Sequence, residues 1–189
     1  DYINDGNPAS TTSLGARCIW LMPIAKSVSY HGYDVTDYYH VDPHLGSDDD
    51  FRRLVEEAHL RGIHVIVDFV PNHSSRDHPF FQAALHDPAS PYRSWYRWST
   101  VKPEQPSTWG QEVVHKSPVR DEYYYGLFWG GMPDLNYETP AVLQEMEKVT
   151  SYWLRDMHAD GFRFDAIPYL VEDGNQLAHT RGTHEILRQ

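Results

Sequence analysis

An arginine and a carboxylate two residues apart close one of the apolar runs of this chain, Arg163-Phe164-Asp165-Ala166. On an extended strand residues i and i+2 share a face, so their side chains meet. The fixed guanidinium charge favours the ionised carboxylate, which can attack an electrophilic centre such as the anomeric carbon of a sugar and form a covalent intermediate. On spacing alone, a structural ion pair at a strand end explains the same residues equally well. A second run ends Asp68-Phe69-Val70-Pro71-Asn72-His73, and the loop after another carries Tyr30-His31-Gly32-Tyr33-Asp34. His73 offers hydrogen bonds to a hydroxyl and Tyr33 a ring that stacks on a sugar. Asn72 and Asp134 offer the hard oxygens that Ca²⁺ takes. Taken singly, each also has a plainer reading: a structural histidine, a packed tyrosine and two turn formers.

The elements that position these residues are short. Residues 17–24 (RCIWLMPI), 63–70 (IHVIVDFV) and 161–166 (GFRFDA) are apolar runs bounded by breakers. They predict strands buried on both faces, as in a parallel sheet. Between the first two, Ser47 caps a helix whose first turn holds Asp48, Asp49 and Asp50, with Phe51, Leu54, Val55 and Ala58 on one face. A second helix starts at Thr139 with Pro140 in its first position and a stripe of Val142, Met146, Val149 and Trp153; a third begins near Thr183. Strands alternating with helices predict an α/β fold with active residues at the carboxyl ends of the strands. The organisation read from this is a first segment over 1–70, an insert over 71–138 and a third segment over 139–189. The insert replaces a short connection, holds Trp95, Trp98, Trp109 and Trp129, and is rich in proline, as suits an irregular subdomain.

Composition narrows the partners. The formal charge of −11 repels phosphate backbones and argues against nucleic acid. No run reaches the roughly 18 apolar residues of a membrane span. The single cysteine, Cys18, excludes an internal disulfide and, within an apolar run, reads as a buried inert thiol. Six tryptophans and 13 tyrosines supply rings for a core or for stacking on a ligand. Neither end carries a signal-peptide pattern or reads as a natural terminus, which leaves the compartment open. The histidines lack zinc spacing, and there is no Gly-rich phosphate loop.

At these residues the sequence resembles the α-amylase family of glycoside hydrolases. Residues 68–73 (DFVPNH) resemble the motif ending that family's third barrel strand, and residues 161–166 (GFRFDA) the fourth-strand motif with the nucleophile. Residues 132–136 (MPDLN) resemble a motif near the end of its inserted domain B, and residues 31–39 (HGYDVTDYY) the loop after the second strand. The resemblance covers essentially the whole chain. It implies a partial (β/α)₈ barrel, about strands two to four, with domain B after strand three. It also implies roles: Asp165 as nucleophile supported by Arg163; Tyr33 and His73 lining the subsite of the attacked sugar; and Asp68 counted with them as substrate-binding, at the rim, where it orients its neighbours. Asn72 and Asp134, with a backbone carbonyl near Tyr169, become ligands of a structural calcium, and no organic cofactor is implied.

The implied substrate is an α-glucan or maltooligosaccharide, cleaved at α-1,4 links with retention. The motif at 132–136 resembles a subgroup between oligo-1,6-glucosidases and neopullulanases, and Tyr30 stands where exo-acting relatives carry aspartate. Residues 160–170 (DGFRFDAIPYL) also resemble trehalose synthase, so α-glucosidase, oligo-1,6-glucosidase and trehalose synthase activities stand as alternatives. An inactive barrel homologue serving as a binding subunit is the non-enzyme alternative, against which the intact Asp165 and Arg163 argue. A complete barrel takes about 250 residues. The family's general-acid glutamate and third catalytic aspartate are expected beyond this stretch. The isolated chain is therefore expected to be inactive on starch and, with open sheet edges, poorly soluble.

Overall fold

The computed structural model describes residues 2–189. Its spine is a three-stranded parallel sheet with β4 (His64–Phe69) between β1 (Cys18–Leu21) and β8 (Gly161–Phe164). The register sets Leu21 opposite Val67 and Asp68 opposite Arg163. Helix α1 (Asp48–His59) starts at a capping box: the Ser47 hydroxyl accepts from the Asp50 N–H, and the Asp50 carboxylate accepts from the Ser47 N–H. Phe51, Val55 and Ala58 are buried. Leu54 is exposed, because at about 100° per residue it falls on the flank of that stripe. Helix α3 (Pro140–Arg155) buries Val142, Met146, Val149 and Trp153, the stripe expected from sequence. Trp153 meets Phe51 edge-on at 5.4 Å and donates from Nε1 to the Tyr38 carbonyl at 2.8 Å. The two helices and the sheet thus share one core.

Burial on both faces is approached only by β4. Ile19 and Leu21 of β1 pack into the core, whereas the alternate residues Cys18 and Trp20 are exposed, as is Phe164 of β8. Among the described residues no helix covers that second face, so Cys18 is an exposed thiol and not a buried one. Residues 31–39, read as a loop, lead into a strand: β2 (Ala25–Ser27) and β3 (Val35–Val41) form an antiparallel hairpin. Its register shifts break strict alternation, and Val35, Tyr38 and Val41 are buried at every third position, which hides the strand from a period-two reading.

Between β4 and α3 the chain forms helix α2 (Pro79–His86), a 3₁₀ turn at Arg93–Trp95 and a small antiparallel sheet. In that sheet β7 (Tyr123–Tyr125) lies between β5 (Trp98–Ser99) and β6 (Val114–Lys116). Trp95 packs on Phe80 and Trp98 on Phe81, filling the core, whereas Trp109 and Trp129 are exposed. The last helix, α4 (Arg181–Ile186), is capped by Thr180, slightly before the position expected.

Candidate active site

Parallel pairing continues one residue beyond β8, where the Asp165 N–H donates to the Phe69 carbonyl at 2.8 Å. Ala166 then adopts a left-handed conformation (φ 53°), uncommon for a residue with a side chain, and turns the chain into the 3₁₀ turn Ile167–Tyr169. The strand therefore ends with Asp165 at its tip. Arg163, two residues back on the same face, donates from Nη1 to Asp165 Oδ1 at 2.5 Å and to both Asp68 oxygens at 3.2 and 3.3 Å. The Asp68 side chain is 0% exposed and that of Asp165 is 19% exposed, so only the latter can meet a ligand. Burial pushes the Asp68 carboxyl up, and the Arg163 charge opposes it.

The Tyr33 hydroxyl donates to Asp68 Oδ2 at 3.3 Å. Burial and the Asp68 charge push this phenol up, which keeps it a neutral donor. Its loop is pinned from beneath: Asp34, buried, accepts from the Ser29 N–H and from the Ser29 hydroxyl. Gly32 (φ +79°) lies so close to Pro23 that an added Cβ would come within 2.8 Å of its Cβ and carbonyl oxygen. No larger residue fits that turn. Tyr30 projects fully exposed beside a neighbouring cleft of about 440 Å³ lined by Ser27, Ser29, Asp42 and His44.

Two sequence motifs are laid side by side just outside β4. The Leu135 N–H donates to the Asn72 carbonyl at 2.9 Å, the Ser74 N–H to the Pro133 carbonyl at 3.1 Å, and His73 and Asp134 form an antiparallel bridge. The carbonyls past the strand end are satisfied by Tyr38, which donates to Val70 and His73, and by Tyr137, which donates to Pro71. His73 is buried against Phe128, and burial lowers its imidazole to about 4, so the ring is neutral.

Asn72 Nδ2 donates to Asp134 Oδ2 at 3.1 Å, and the Leu127 N–H donates to Asp134 Oδ1 at 2.9 Å. Burial and the charge of Glu172 push the Asp134 carboxyl up to about 8. Asn72 Oδ1 and Glu172 Oε1 are buried without a hydrogen-bond partner. Buried orphan oxygens beside two carboxylates are a donor set that fits a hard divalent cation. Among the described residues, no three His, Cys, Asp or Glu side chains are arranged to hold a metal, so such a cation would need amide and carbonyl oxygens as well. Arg97, paired with Glu172, supplies the nearby positive charge.

The structure thus joins Tyr33, Asp68, Arg163 and Asp165 in one hydrogen-bonded chain, and Asn72 with Asp134 in another. Sequence reasoning missed Glu172 and Arg97. Their partnership spans 75 residues and carries no local pattern, although Glu172 lies shortly after the strand-end motif at residues 161–166.

The family model for the α-amylase catalytic domain matches residues 11–186. An α-amylase of Dictyoglomus thermophilum is 45% identical over 164 residues, 87% of this chain and 32% of that protein. A trehalose synthase/amylase of Mycobacterium tuberculosis is 40% identical over 189 residues, 93% of this chain and 30% of that protein. Among solved structures, an α-amylase from H. orenii aligns with a TM-score of 0.79 at 48% identity, covering 87% of this chain and 34% of that one. The chain therefore spans about a third of the length of the relatives it matches. On this evidence the chain belongs to the α-amylase catalytic-domain family of α-glucan-active glycosidases, whose fold is a (β/α)₈ barrel.

Proposed function

We propose that this chain carries the nucleophile of a retaining α-glucan hydrolase acting on α-1,4 links. The carrying observation is the Arg163 guanidinium, which grips Asp165 and the buried Asp68 together at the strand ends. In this reading the free oxygen of Asp165 attacks C1 of a glucose unit, the glycosidic bond breaks and a glycosyl ester forms. The leaving oxygen takes a proton from a carboxylic acid, and water then hydrolyses the ester. Arg163 fixes the aim of Asp165, Asp68 fixes Arg163, Tyr33 lines the subsite of the sugar under attack, and His73, buried with its Nε2 lacking a hydrogen-bond partner, is assigned to the floor of that subsite. β1, β4 and β8 are read as the second, third and fourth barrel strands, with residues 71–138 as an inserted domain B. The general acid is assigned outside the present sequence, so the isolated chain is inactive on starch.

Calcium is assigned to Asn72 and Asp134, with Glu172 beside them. When bound it supplies positive charge that ties the segment after β4 to residues 132–136. The second reading, a trehalose synthase, is supported by the 40% identity to a trehalose synthase/amylase. Product analysis of the full-length protein separates the two. Early mixed maltooligosaccharides from starch support the hydrolase, and trehalose formed from maltose reverses the assignment.

A further inference from the structure

The two carboxylates hold the Arg163 guanidinium at one corner. Its bonds to Asp165 (2.5 Å) and to both oxygens of Asp68 (3.2 and 3.3 Å) all leave from Nη1. A planar group fixed at one nitrogen can still turn about it, and a turn misaligns that nitrogen's N–H bonds with their acceptors. A further contact meets the plane itself. Arg163 Cζ lies over the Trp20 ring, 5.4 Å from its centroid, inside the roughly 6 Å reach of cation–π attraction. The sheet register brings the two together. Trp20 of β1 stands opposite Ile66 of β4, and Ile66 opposite Gly161 of β8, so the three form one row across the sheet. Asp68 and Arg163, two residues further on, form the next row on the same face. The Arg163 side chain thus reaches from β8 to groups on both β4 and β1.

We infer that Trp20 is a positioning residue for the nucleophile: its indole face holds the Arg163 guanidinium in the orientation that keeps Nη1 on Asp68 and Asp165 together. This rests on the reading of Asp165 as a glycosidase nucleophile. Packing against the helices does not account for the indole, since its neighbours Ile19 and Leu21 join the core and Trp20 is exposed on the opposite face. The chemistry of the pair does. The ring face carries negative charge density, and tryptophan presents the strongest such face among the aromatic side chains. A guanidinium is weakly hydrated, planar and permanently charged, so it gives up little on meeting that face and does so at every working pH. An aliphatic side chain at position 20 would offer dispersion alone.

The test uses the full-length protein with maltotetraose as substrate. Mono- to tetrafluorinated tryptophans, introduced at position 20 alone by nonsense suppression, keep the shape of the indole while draining charge from its face. Along this series kcat falls stepwise, by about fivefold or more at the tetrafluoro member, with a much smaller change in KM. Trp20→Phe keeps most of kcat, and Trp20→Leu loses about tenfold. Should Trp20→Leu not fold, the isosteric series still decides. A kcat that stays level across the fluorinated series, or a loss confined to KM, overturns the positioning role. Failure of the underlying reading shows separately, as cleavage that survives Asp165→Asn.

Discussion

Asp68 and Arg163 are register partners on adjacent parallel strands, and their side chains meet at 3.2 Å at the carboxyl ends of those strands. The same Nη1 reaches Asp165 at 2.5 Å. A carboxylate enclosed by protein thus sets the position of the cation that sets the position of an accessible carboxylate. The sheet register makes this possible, since a slip of one residue would turn the Arg163 side chain to the opposite face.

Substitution at Arg163 should therefore act on turnover more than on substrate affinity. Arg163→Lys replaces the planar guanidinium, whose Nη1 meets both carboxylates, by a shorter, more strongly hydrated and rotatable ammonium that does not hold them in the same geometry. Steady-state kinetics of the full-length variant should show kcat lowered by about 100-fold or more, with a much smaller change in KM. A loss confined to KM would place Arg163 in ground-state binding alone.

Asp160 anchors the opposite end of the sheet. Burial works against its charged form, but the Val65 N–H, His59 (2.8 Å) and His64 (3.1 Å) outweigh it and hold the carboxyl at about 2, against an ordinary 3.8. A folded value below the unfolded one stabilises above the unfolded value, fully so from about pH 4 upward, and the gain is lost as pH falls towards 2. With partial solvent screening, Asp160→Asn should cost about 1–2 kcal/mol at pH 7 and flatten the dependence of melting on pH between about 4 and 2. Melting curves across that range give the comparison.

Trp153 is the point where α3 meets both α1 and β3. Trp153→Ala should cost about 3–5 kcal/mol by leaving a cavity beside Phe51. Trp153→Phe should cost about 1–2 kcal/mol, mainly through the lost bond to the Tyr38 carbonyl. Chemical denaturation of the two variants should rank them in that order.

Calcium at Asn72, Asp134 and Glu172 should stabilise by mass action, by about 2.7 kcal/mol at a hundredfold excess over its dissociation constant. A chelator should lower the melting temperature of the full-length protein, and added Ca²⁺ should restore it. Asn72→Ala should abolish the response. A melting temperature indifferent to chelator would remove calcium from the account.

Much of the candidate site's placement was legible because residues at strand ends sit next to strong local signals. Asp165 and Asp68 terminate apolar runs, and the caps at Ser47 and Pro140 announce their helices. What escaped depends on long-range geometry. The β2–β3 hairpin is bulged, so its burial does not alternate. Cys18 lies in an apolar run but faces the side of the sheet that no described helix covers. Arg97 and Glu172 matter only because folding brings them together beside Asp134. The tryptophans divided into core and surface by packing, which composition does not encode.

The central claim, that Asp165 bonds to a sugar, is tested most directly by trapping the intermediate. Treating the full-length protein with 5-fluoro-α-D-glucosyl fluoride and mapping the product by peptide mass spectrometry should find one hexosyl label, on Asp165. A label on Asp68 or on any other carboxylate, or turnover without a trapped ester in a variant lacking Asp165, would contradict it.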